Sequence, residues 1–281
     1  MSGKLFGVGP PIGNLDDISP RGVSALENAD FIAAEDTRVT LKLLNRFGIK
    51  KELISYYEHS KSSKENFILN RIAAGENCAL VSDAGMPAIS DPGEELVRKA
   101  HEMNIETQVV PGPSAVISAL AISGMPTGRF CFEGFLTVNK PGRRKHLAEL
   151  VNEKRTMVFY EAPHKLVNTL KDMLETFGER DIALVKELTK IHETVLRTTF
   201  SEALALYEQE PPRGEFVIIV SGAKEEEQTF TLEDAVQLAQ ELISKGESAS
   251  AAARTAAKET GIKKGDIYKE ILEKNKNENN L

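Results

Sequence analysis

Residues 78–93, CALVSDAGMPAISDPG, decide the fold of this chain. Four apolar residues open the stretch and predict a buried strand over residues 78–82, and a helical pattern follows over residues 94–103. Short apolar strands that alternate with longer helices are typical of a parallel sheet covered on both faces. The loop between them, residues 82–93, indicates a binding site, because Gly lets a backbone approach a ligand and Pro keeps it rigid.

The same alternation runs through the first half of the chain. Further strands are predicted at residues 4–8, 31–34, 53–56 and 107–110. Further helices are predicted at residues 20–28, 37–47, 61–74 and 114–122. We therefore expect an N-terminal α/β domain over residues 1–123, built on a parallel sheet.

The pattern restarts near residues 124–128. Strands are then predicted at residues 129–134, 157–160, 183–186, 194–198 and 215–220, and helices at residues 143–152, 166–177 and 201–209. A short connection joins two of these strands, so we expect a second α/β domain, residues 124–223, with a mixed sheet. After a charged linker, residues 229–281 form a C-terminal helical module, in which residues 249–269 resemble a helix-turn-helix with Gly261 at the turn.

The composition is that of a globular protein and excludes several classes. Hydrophobic residues make up 41% and charged residues 27% of the 281 residues. No apolar run approaches the roughly 20 residues that span a bilayer, and no apolar signal segment opens the chain, so we expect a soluble, cytoplasmic protein. Two Cys and five His without paired spacing predict no metal site. A net charge of −7 excludes wholesale coating of nucleic acid, although a local basic patch stays possible.

Three loops that follow predicted strands of the first sheet are rich in Gly and Pro. They are GVGPPIGNL at residues 7–15, SDAGMPAISDPG at residues 82–93 and PGPS at residues 111–114. Because ligands bind outside the carboxyl ends of parallel strands, these loops predict one wall of a cleft. The glycines of the first loop read GxGxxxG, which only partly matches the dinucleotide fingerprint, and the next helix begins too late to face a pyrophosphate.

Eight motifs in a fixed order carry a resemblance to a known family. They are GVGPPIGNL, AAEDTR (33–38), SDAGMPAISDPG, VVPGPSAV (109–116), FEGFL (132–136), FYEAPH (159–164), KELTKIHET (186–194) and RGEFVIIV (213–220). In this order they resemble the tetrapyrrole methylase superfamily, a class of S-adenosylmethionine-dependent methyltransferases. Within it the chain is most similar to the ribosomal RNA small subunit methyltransferase I family, whose members methylate the 2′-oxygen of a cytidine. The resemblance covers residues 1–222 and the helical extension.

The resemblance implies two α/β domains with S-adenosylmethionine in the cleft between them, and a homodimer. It implies a substrate that is small-subunit (16S) ribosomal RNA or the assembled small ribosomal subunit. Tetrapyrrole-modifying relatives differ from this chain at Asp83, Ala84 and Gly85. The implied cofactor residues are Pro10, Asp83, Ala84, Gly85, Ile89, Ser114, Ala115, Glu161, Ala162, Leu188, Glu215 and Phe216.

A ribose hydroxyl is a poor nucleophile, so the reaction needs a base or a nearby cation. The candidates in the cleft-facing motifs are Asp36, Glu161, Lys186 and Glu187. Asp36 could instead cap a helix, and the charges at residues 186–190 could form a mutual ion pair. The sequence does not choose between these alternatives, nor does it require a single base.

The predicted RNA contacts are basic residues near the cleft. The patch KPGRRK supplies Lys140, Arg143, Arg144 and Lys145, and the other candidates are Arg38, His59, His164, Lys190 and Arg213. Four cations at a helix start oppose the helix dipole, which favours a binding role over a merely solvated surface. In the helical module only residues 258–269 are locally cationic, and these helices could contact the ribosomal subunit or a second copy of the chain.

Two alternative functions remain. A tetrapyrrole C-methyltransferase would share the scaffold, but it would need neither the KPGRRK patch nor the helical module. A non-catalytic RNA-binding module would bind RNA without a cofactor.

Overall fold

The computed structural model describes residues 2–57, 62–224 and 230–278. The chain divides into two compact units, Met1–Ala223 and Lys224–Leu281. The first unit holds two five-stranded sheets, and the described part of the second is helical. Within the described ranges no helix is both long and apolar enough to cross a membrane.

The first sheet is entirely parallel, as predicted. Its strands are β1 (Lys4–Val8), β2 (Phe31–Ala34), β3 (Glu52–Ser55), β4 (Cys78–Val81) and β5 (Glu106–Val110). They lie in the order β3-β2-β4-β1-β5. Every residue of β2 and β4 is buried, because helices cover both faces.

The helices of this sheet begin where the sequence supplies a cap. They are α1 (Pro20–Asn28), α2 (Thr37–Arg46), α3 (Ser62–Ala73) and α4 (Gly93–Glu102). The Ser19 hydroxyl accepts a hydrogen bond from the Gly22 N–H at the start of α1, and the Asp36 carboxylate does the same for Arg38 in α2. The predicted boundaries are therefore correct to within about a residue.

One helix of the first half packs on the second sheet. This helix, α5 (Ala115–Ser123), is almost wholly apolar and buries Val116, Ala119 and Leu120 against strand residues of that sheet. At its end, the Arg197 guanidinium donates hydrogen bonds to the carbonyls of Ser123 (2.7 Å) and Ile122 (3.1 Å). The helix thus joins the two sheets, and a domain boundary at residues 123–124 stays a prediction.

The second sheet is mixed, as predicted. Its strands are β6 (Phe130–Phe135), β7 (Thr156–Glu161), β8 (Asp181–Lys186), β9 (Thr194–Thr199) and β10 (Phe216–Val220). The order is β6-β7-β10-β8-β9, with only β6 and β7 parallel. Helices α6 (Lys140–Glu149), α7 (Pro163–Phe177) and α8 (Phe200–Gln209) cover the face away from α5. The first of these begins earlier than predicted, because Pro141 fits the first turn of a helix.

The second unit has its own small core. Helices α9 (Leu232–Ser244), α10 (Ala249–Thr260) and α11 (Lys264–Glu278) enclose Ala and Ile side chains. Gly261 ends α10 with a φ of +73°, so the predicted helix-turn-helix pattern around this glycine is present. The predicted linker falls mostly outside the described residues, and the boundaries of the module stay a prediction.

Candidate active site

The three Gly- and Pro-rich loops meet at the carboxyl edge of the first sheet. The Gly85 N–H donates to the Pro10 carbonyl (3.1 Å), and the Gly112 N–H donates to the Met86 sulfur (3.2 Å). A Cβ atom on Gly112 would lie 2.4 Å from the Gly9 carbonyl oxygen. Glycine is required there because two backbones touch. The predicted convergence of the loops is therefore present.

The second loop is held in a strained conformation. Ala88 and Ser90 have φ angles of +67° and +64°, a region that non-Gly residues rarely adopt. The Asp91 carboxylate holds this shape by accepting hydrogen bonds from the N–H groups of Ala88 and Gly93, both at 2.8 Å. Strain of this kind clusters at functional sites, which supports a binding role for the loop.

A cavity of about 420 Å³ lies beside these loops, between the first loop, the start of the second and α2. Four of the predicted cofactor residues line it, namely Pro10, Asp83, Ala84 and Glu215. Its other lining residues are Pro11, Ile12, Gly13, Leu15, Val39, Thr40, Lys42, Leu43, Val81 and Ser82. The cavity is thus mainly apolar, with carboxylates of Asp83 and Glu215 on its border.

The other predicted cofactor residues lie on further parts of the same loops and sheet. Gly85 approaches Ile12, Ile89 is exposed, and Ser114 precedes α5. Ala115 and Leu188 pack against the apolar cluster under α5, and Ala162 precedes α7.

Phe216 differs from the prediction. Its side chain is 2% exposed and packs against Tyr207 in the core, with ring centroids 5.7 Å apart. The Phe216 ring is therefore not free to contact a ligand. Its apolar strand, FVIIV, is buried at every position, which is the signal that predicts a core side chain.

The turn after β8 joins the second sheet to the first loop. The Asn14 N–H donates to the Thr189 hydroxyl (3.0 Å), and a Cβ atom on Gly13 would lie 2.7 Å from that oxygen. Glu187 and Thr189 both have positive φ angles, +52° and +63°. The structure therefore brings the candidate residues of the KELTK motif next to the first loop.

The charged residues of this turn pair with one another. The Lys190 ammonium lies 3.1 Å from Glu187 Oε1 and 2.8 Å from Glu215 Oε2. The Glu215 backbone N–H donates to the Glu187 carboxylate (2.9 Å) and, with Lys190, lowers the pKa of Glu187. The Glu215 and Glu187 carboxylates raise the pKa of Lys190. The mutual ion pair is thus the alternative that the structure shows, and Glu187 is a weak base.

Lys186 is the exception in this motif. It ends β8 half-buried, and its ammonium forms no hydrogen bond or ion pair with another described residue. Its strand pairs with β10, so its backbone is opposite Phe216, next to the cavity-lining Glu215. Among the four candidate catalytic residues, Lys186 therefore has a side chain free to meet a substrate.

Asp36 and Glu161 have structural partners. The Asp36 carboxylate caps α2 and pairs with the Arg38 guanidinium at 2.6 Å, and these contacts lower the pKa of Asp36 to about 2. The backbone N–H of Asp36 in turn donates to Asp83 (2.9 Å). Glu161 is 4% exposed and accepts a hydrogen bond from the Thr169 hydroxyl (2.5 Å). The capping alternative for Asp36 is therefore the one observed.

Replacing Asp36 with Asn tests whether this carboxylate is a base. Because its pKa of about 2 makes Asp36 a poor proton acceptor, we expect the Asn variant, which can still cap α2, to retain within a few-fold the methyl transfer that the resemblance implies. Initial rates of methyl transfer at pH 7 provide the measurement. A loss of about a hundredfold or more would instead identify Asp36 as a general base.

The predicted RNA patch of α6 is only partly available. The Arg143 side chain is 10% exposed, and its guanidinium lies 2.5 Å from the Asp172 carboxylate on α7. Arg144 shares that carboxylate at 3.1 Å. Arg143 is therefore not the surface residue that the patch predicted, because Asp172 on α7 pairs with it. The sequence pattern predicts that helix but not this contact, which joins residues 29 positions apart. Lys140 and Lys145 are exposed.

The remaining RNA candidates are scattered. Arg38 is exposed but paired with Asp36, Lys190 is paired as above, and His164 and Arg213 are exposed. His59 lies outside the described residues. The prediction missed Thr40 and Lys42, which line the cavity from α2; the polar positions in TRVTLKLL were the signal.

Sequence comparison assigns the chain to a family. The model of the tetrapyrrole (corrin/porphyrin) methylases matches residues 4–204. Ribosomal RNA small subunit methyltransferase I of a Synechocystis strain is 44% identical over 273 residues, 96% of this chain and 98% of that protein. The protein of the same name from Escherichia coli O157:H7 is 42% identical over 274 residues, 96% and 95% of the two chains.

Solved structures agree in fold. A cobalt precorrin-4 methyltransferase aligns with a TM-score of 0.59 at 19% identity, over 78% of this chain and 94% of its own. A uroporphyrin-III-C-methyltransferase from Thermus thermophilus gives a TM-score of 0.55 at 20% identity, with the same coverage of 78% and 94%. The chain therefore belongs to the tetrapyrrole methylase family of methyltransferases and, within it, to the ribosomal RNA small subunit methyltransferase I group.

Proposed function

We propose that this protein transfers a methyl group from S-adenosylmethionine to the 2′-oxygen of a cytidine in small-subunit ribosomal RNA. The similarity to rRNA methyltransferases carries the proposal, because it extends over 96% of the chain. The tetrapyrrole enzymes align with only 78% of it, at 19–20% identity, which is a likeness of fold alone. A tetrapyrrole substrate is therefore the weaker alternative.

The loops fit S-adenosylmethionine. The cofactor supplies a methyl group on a positively charged sulfur, so a binding site needs close backbone contacts and negative charge. Gly85 has a φ of +79°, and a Cβ atom there would meet Ile12 at 3.2 Å and the Pro113 carbonyl oxygen at 3.4 Å. Asp83 and Glu215 place carboxylates at the cavity. We infer that Pro10, Asp83 and Ala84 hold one side of the cofactor.

The acceptor oxygen needs help from the protein. It gains negative charge as it loses its proton, and a fixed cation stabilises that charge most effectively where water is excluded. Lys186 is half-buried beside the cavity-lining Glu215 and forms no hydrogen bond or ion pair with another described residue, whereas Lys190 is held by two carboxylates. We infer that Lys186 stabilises the 2′-oxygen, and that Glu187 and Lys190 fix the turn that carries it.

The proposal includes a cytoplasmic homodimer that acts on rRNA or on the assembled small subunit. Exposed apolar side chains on β5, α5 and β6 support a contact between copies. They include Val109 (54% exposed), Ile117 (54%) and Phe135 (58%).

Methyl transfer to RNA tests the function directly. We expect label from S-adenosylmethionine to enter small subunits, or free small-subunit rRNA, isolated from cells that lack the protein. Nuclease digestion and mass spectrometry would then identify 2′-O-methylcytidine. Label in a porphyrinogen precursor, with none in RNA, would favour the tetrapyrrole alternative. Binding of RNA with no heat of cofactor binding in calorimetry would favour a non-catalytic module.

A further inference from the structure

A buried hydroxyl in the wall of the cavity lacks a partner. Thr40 lies in the second turn of α2, is 3% exposed and lines the cavity, and its Oγ1 forms no hydrogen bond within the described residues. Threonines inside helices often bond the carbonyl one turn earlier, but the Asp36 carbonyl already accepts the backbone N–H groups of Val39 and Thr40. Because buried polar groups nearly always have partners, the partner of this hydroxyl is expected in the cavity.

The wall formed by α2 is separate from the predicted cofactor contacts. It contributes Val39, Thr40, Lys42 and Leu43, none of which belongs to the cofactor set. Pro10, Asp83, Ala84 and Glu215 also line the cavity and do belong to that set. An acceptor must lie within about 3–3.5 Å of the transferred methyl group, so its chamber has to share a wall with the cofactor. In this cavity the predicted cofactor residues would supply that shared wall.

The chemistry of the chamber suits a nucleoside. Its apolar lining offers faces for a planar base, and the unpaired hydroxyl offers one hydrogen-bonding group to a base or ribose edge. The volume of about 420 Å³ lies in the range of pockets that hold small ligands.

The exposed side of α2 carries a row of cations. Arg38, Lys42 and Arg46 are four residues apart, so they lie on one face over about 12 Å of helix. Lys42 lines the cavity and is exposed, and no carboxylate of the described chain pairs with it. Arg46 is 60% exposed and only loosely paired, 3.7 Å from Asp16. Such a row can bind successive phosphates of an RNA strand.

We propose that the cavity beside α2 receives the acceptor nucleoside of an RNA strand, with the Thr40 hydroxyl bonded to that nucleoside and Lys42 bound to a phosphate beside it. This inference rests on the proposed function and adds the position of the substrate to it. Thr40 is then a specificity-determining residue, and α2 is a part of the RNA-binding surface.

Replacing Thr40 with Val removes the hydroxyl and keeps the shape of the side chain. We expect kcat/KM for RNA methylation to fall about tenfold or more, while the Kd for S-adenosylmethionine in calorimetry stays within twofold of wild type. Thr40→Ser, which keeps the hydroxyl, is expected to retain most of the activity. Ser221→Ala is the matched control, because it removes the other buried unpaired hydroxyl of the described residues, outside the cavity.

Lys42→Ala tests the phosphate contact separately. We expect weaker RNA binding and a plot of log Kd against log salt concentration whose slope is smaller by about one, as for one lost phosphate contact. Thermal unfolding of each variant shows whether it has folded. If Thr40→Val has not, Thr40→Ala also removes the hydroxyl and is expected to show the same loss of kcat/KM with unchanged cofactor binding.

Three results would overturn the inference. In the first, Thr40→Val methylates RNA like wild type. In the second, its Kd for S-adenosylmethionine rises by the same factor as its kcat/KM falls. Either result would show that the cavity does not hold the nucleoside. In both cases wild-type RNA methylation, and with it the proposed function, would stand. A wild-type protein that never labels RNA would overturn the proposed function and this inference together.

Discussion

Replacing Lys186 with Ala is expected to lower the rate of methyl transfer by about a hundredfold or more, since fixed charges at a developing oxyanion contribute on that scale. The reason is local: Lys186 is half-buried at the end of β8, and its ammonium forms no hydrogen bond or ion pair with another described residue. Single-turnover rates with saturating RNA and cofactor would measure the loss. Calorimetry is expected to show unchanged cofactor affinity.

Two further variants make this result specific. Lys186→Arg keeps the charge but changes its position, so we expect partial activity. Lys171→Ala, which breaks an exposed ion pair with Glu208 on the surface, is expected to behave as wild type. If Lys186→Ala retains full activity, the stabilising cation has to be sought elsewhere in the cleft.

Asp172→Asn is expected to lower the free energy of unfolding by about 3–5 kcal/mol, because it leaves the buried guanidinium of Arg143 without its carboxylate. The two side chains are only 10% and 4% exposed. Urea unfolding of both proteins at pH 7 would measure the difference. Glu106→Gln, which neutralises an exposed partner of Lys4, is the matched control and is expected to leave the stability almost unchanged.

The same carboxylate predicts a pH dependence. Burial alone would raise the pKa of Asp172, but the guanidinium groups of Arg143 and Arg144 outweigh it, so the folded-state pKa lies below the usual value. The stabilisation is then complete above the unfolded-state pKa of about 3.9, and it is lost as pH falls through the lower folded-state pKa. We expect the stability gap between wild type and Asp172→Asn to be constant at neutral pH and to shrink below about pH 4. A gap that persists unchanged into that range would contradict the ion-pair explanation.

Most strands and helices could be predicted from the sequence, because the residues that determine them are close together in the chain. The apolar run at Cys78–Val81, the caps Ser19 and Asp36, and the glycine after α10 each fix an element through neighbours within a few residues. The parallel order of the first sheet follows from the alternation of strands and helices.

The side-chain contacts of the candidate site were harder to predict, because they join residues that are far apart in the sequence. The burial of Arg143 depends on Asp172, 29 residues later, and the ion pair of Lys190 depends on Glu215, 25 residues later. The unpaired state of Thr40 is a property of the folded cavity, since the same residue on an exposed helix would bond to water. The positive charges of KPGRRK therefore predicted an exposed binding surface, whereas in the folded protein Arg143 of this motif is buried against Asp172.

The position of α5 has a mechanical consequence. The third loop, Pro111 to Ser114, runs directly into this helix, and the helix is clamped on the second sheet by its apolar side chains and by Arg197. If the second sheet moves, α5 and the third loop are therefore expected to move with it. A widening of the cleft by movement of the second sheet would therefore carry the third loop along and break the close backbone contact between Gly112 and Gly9.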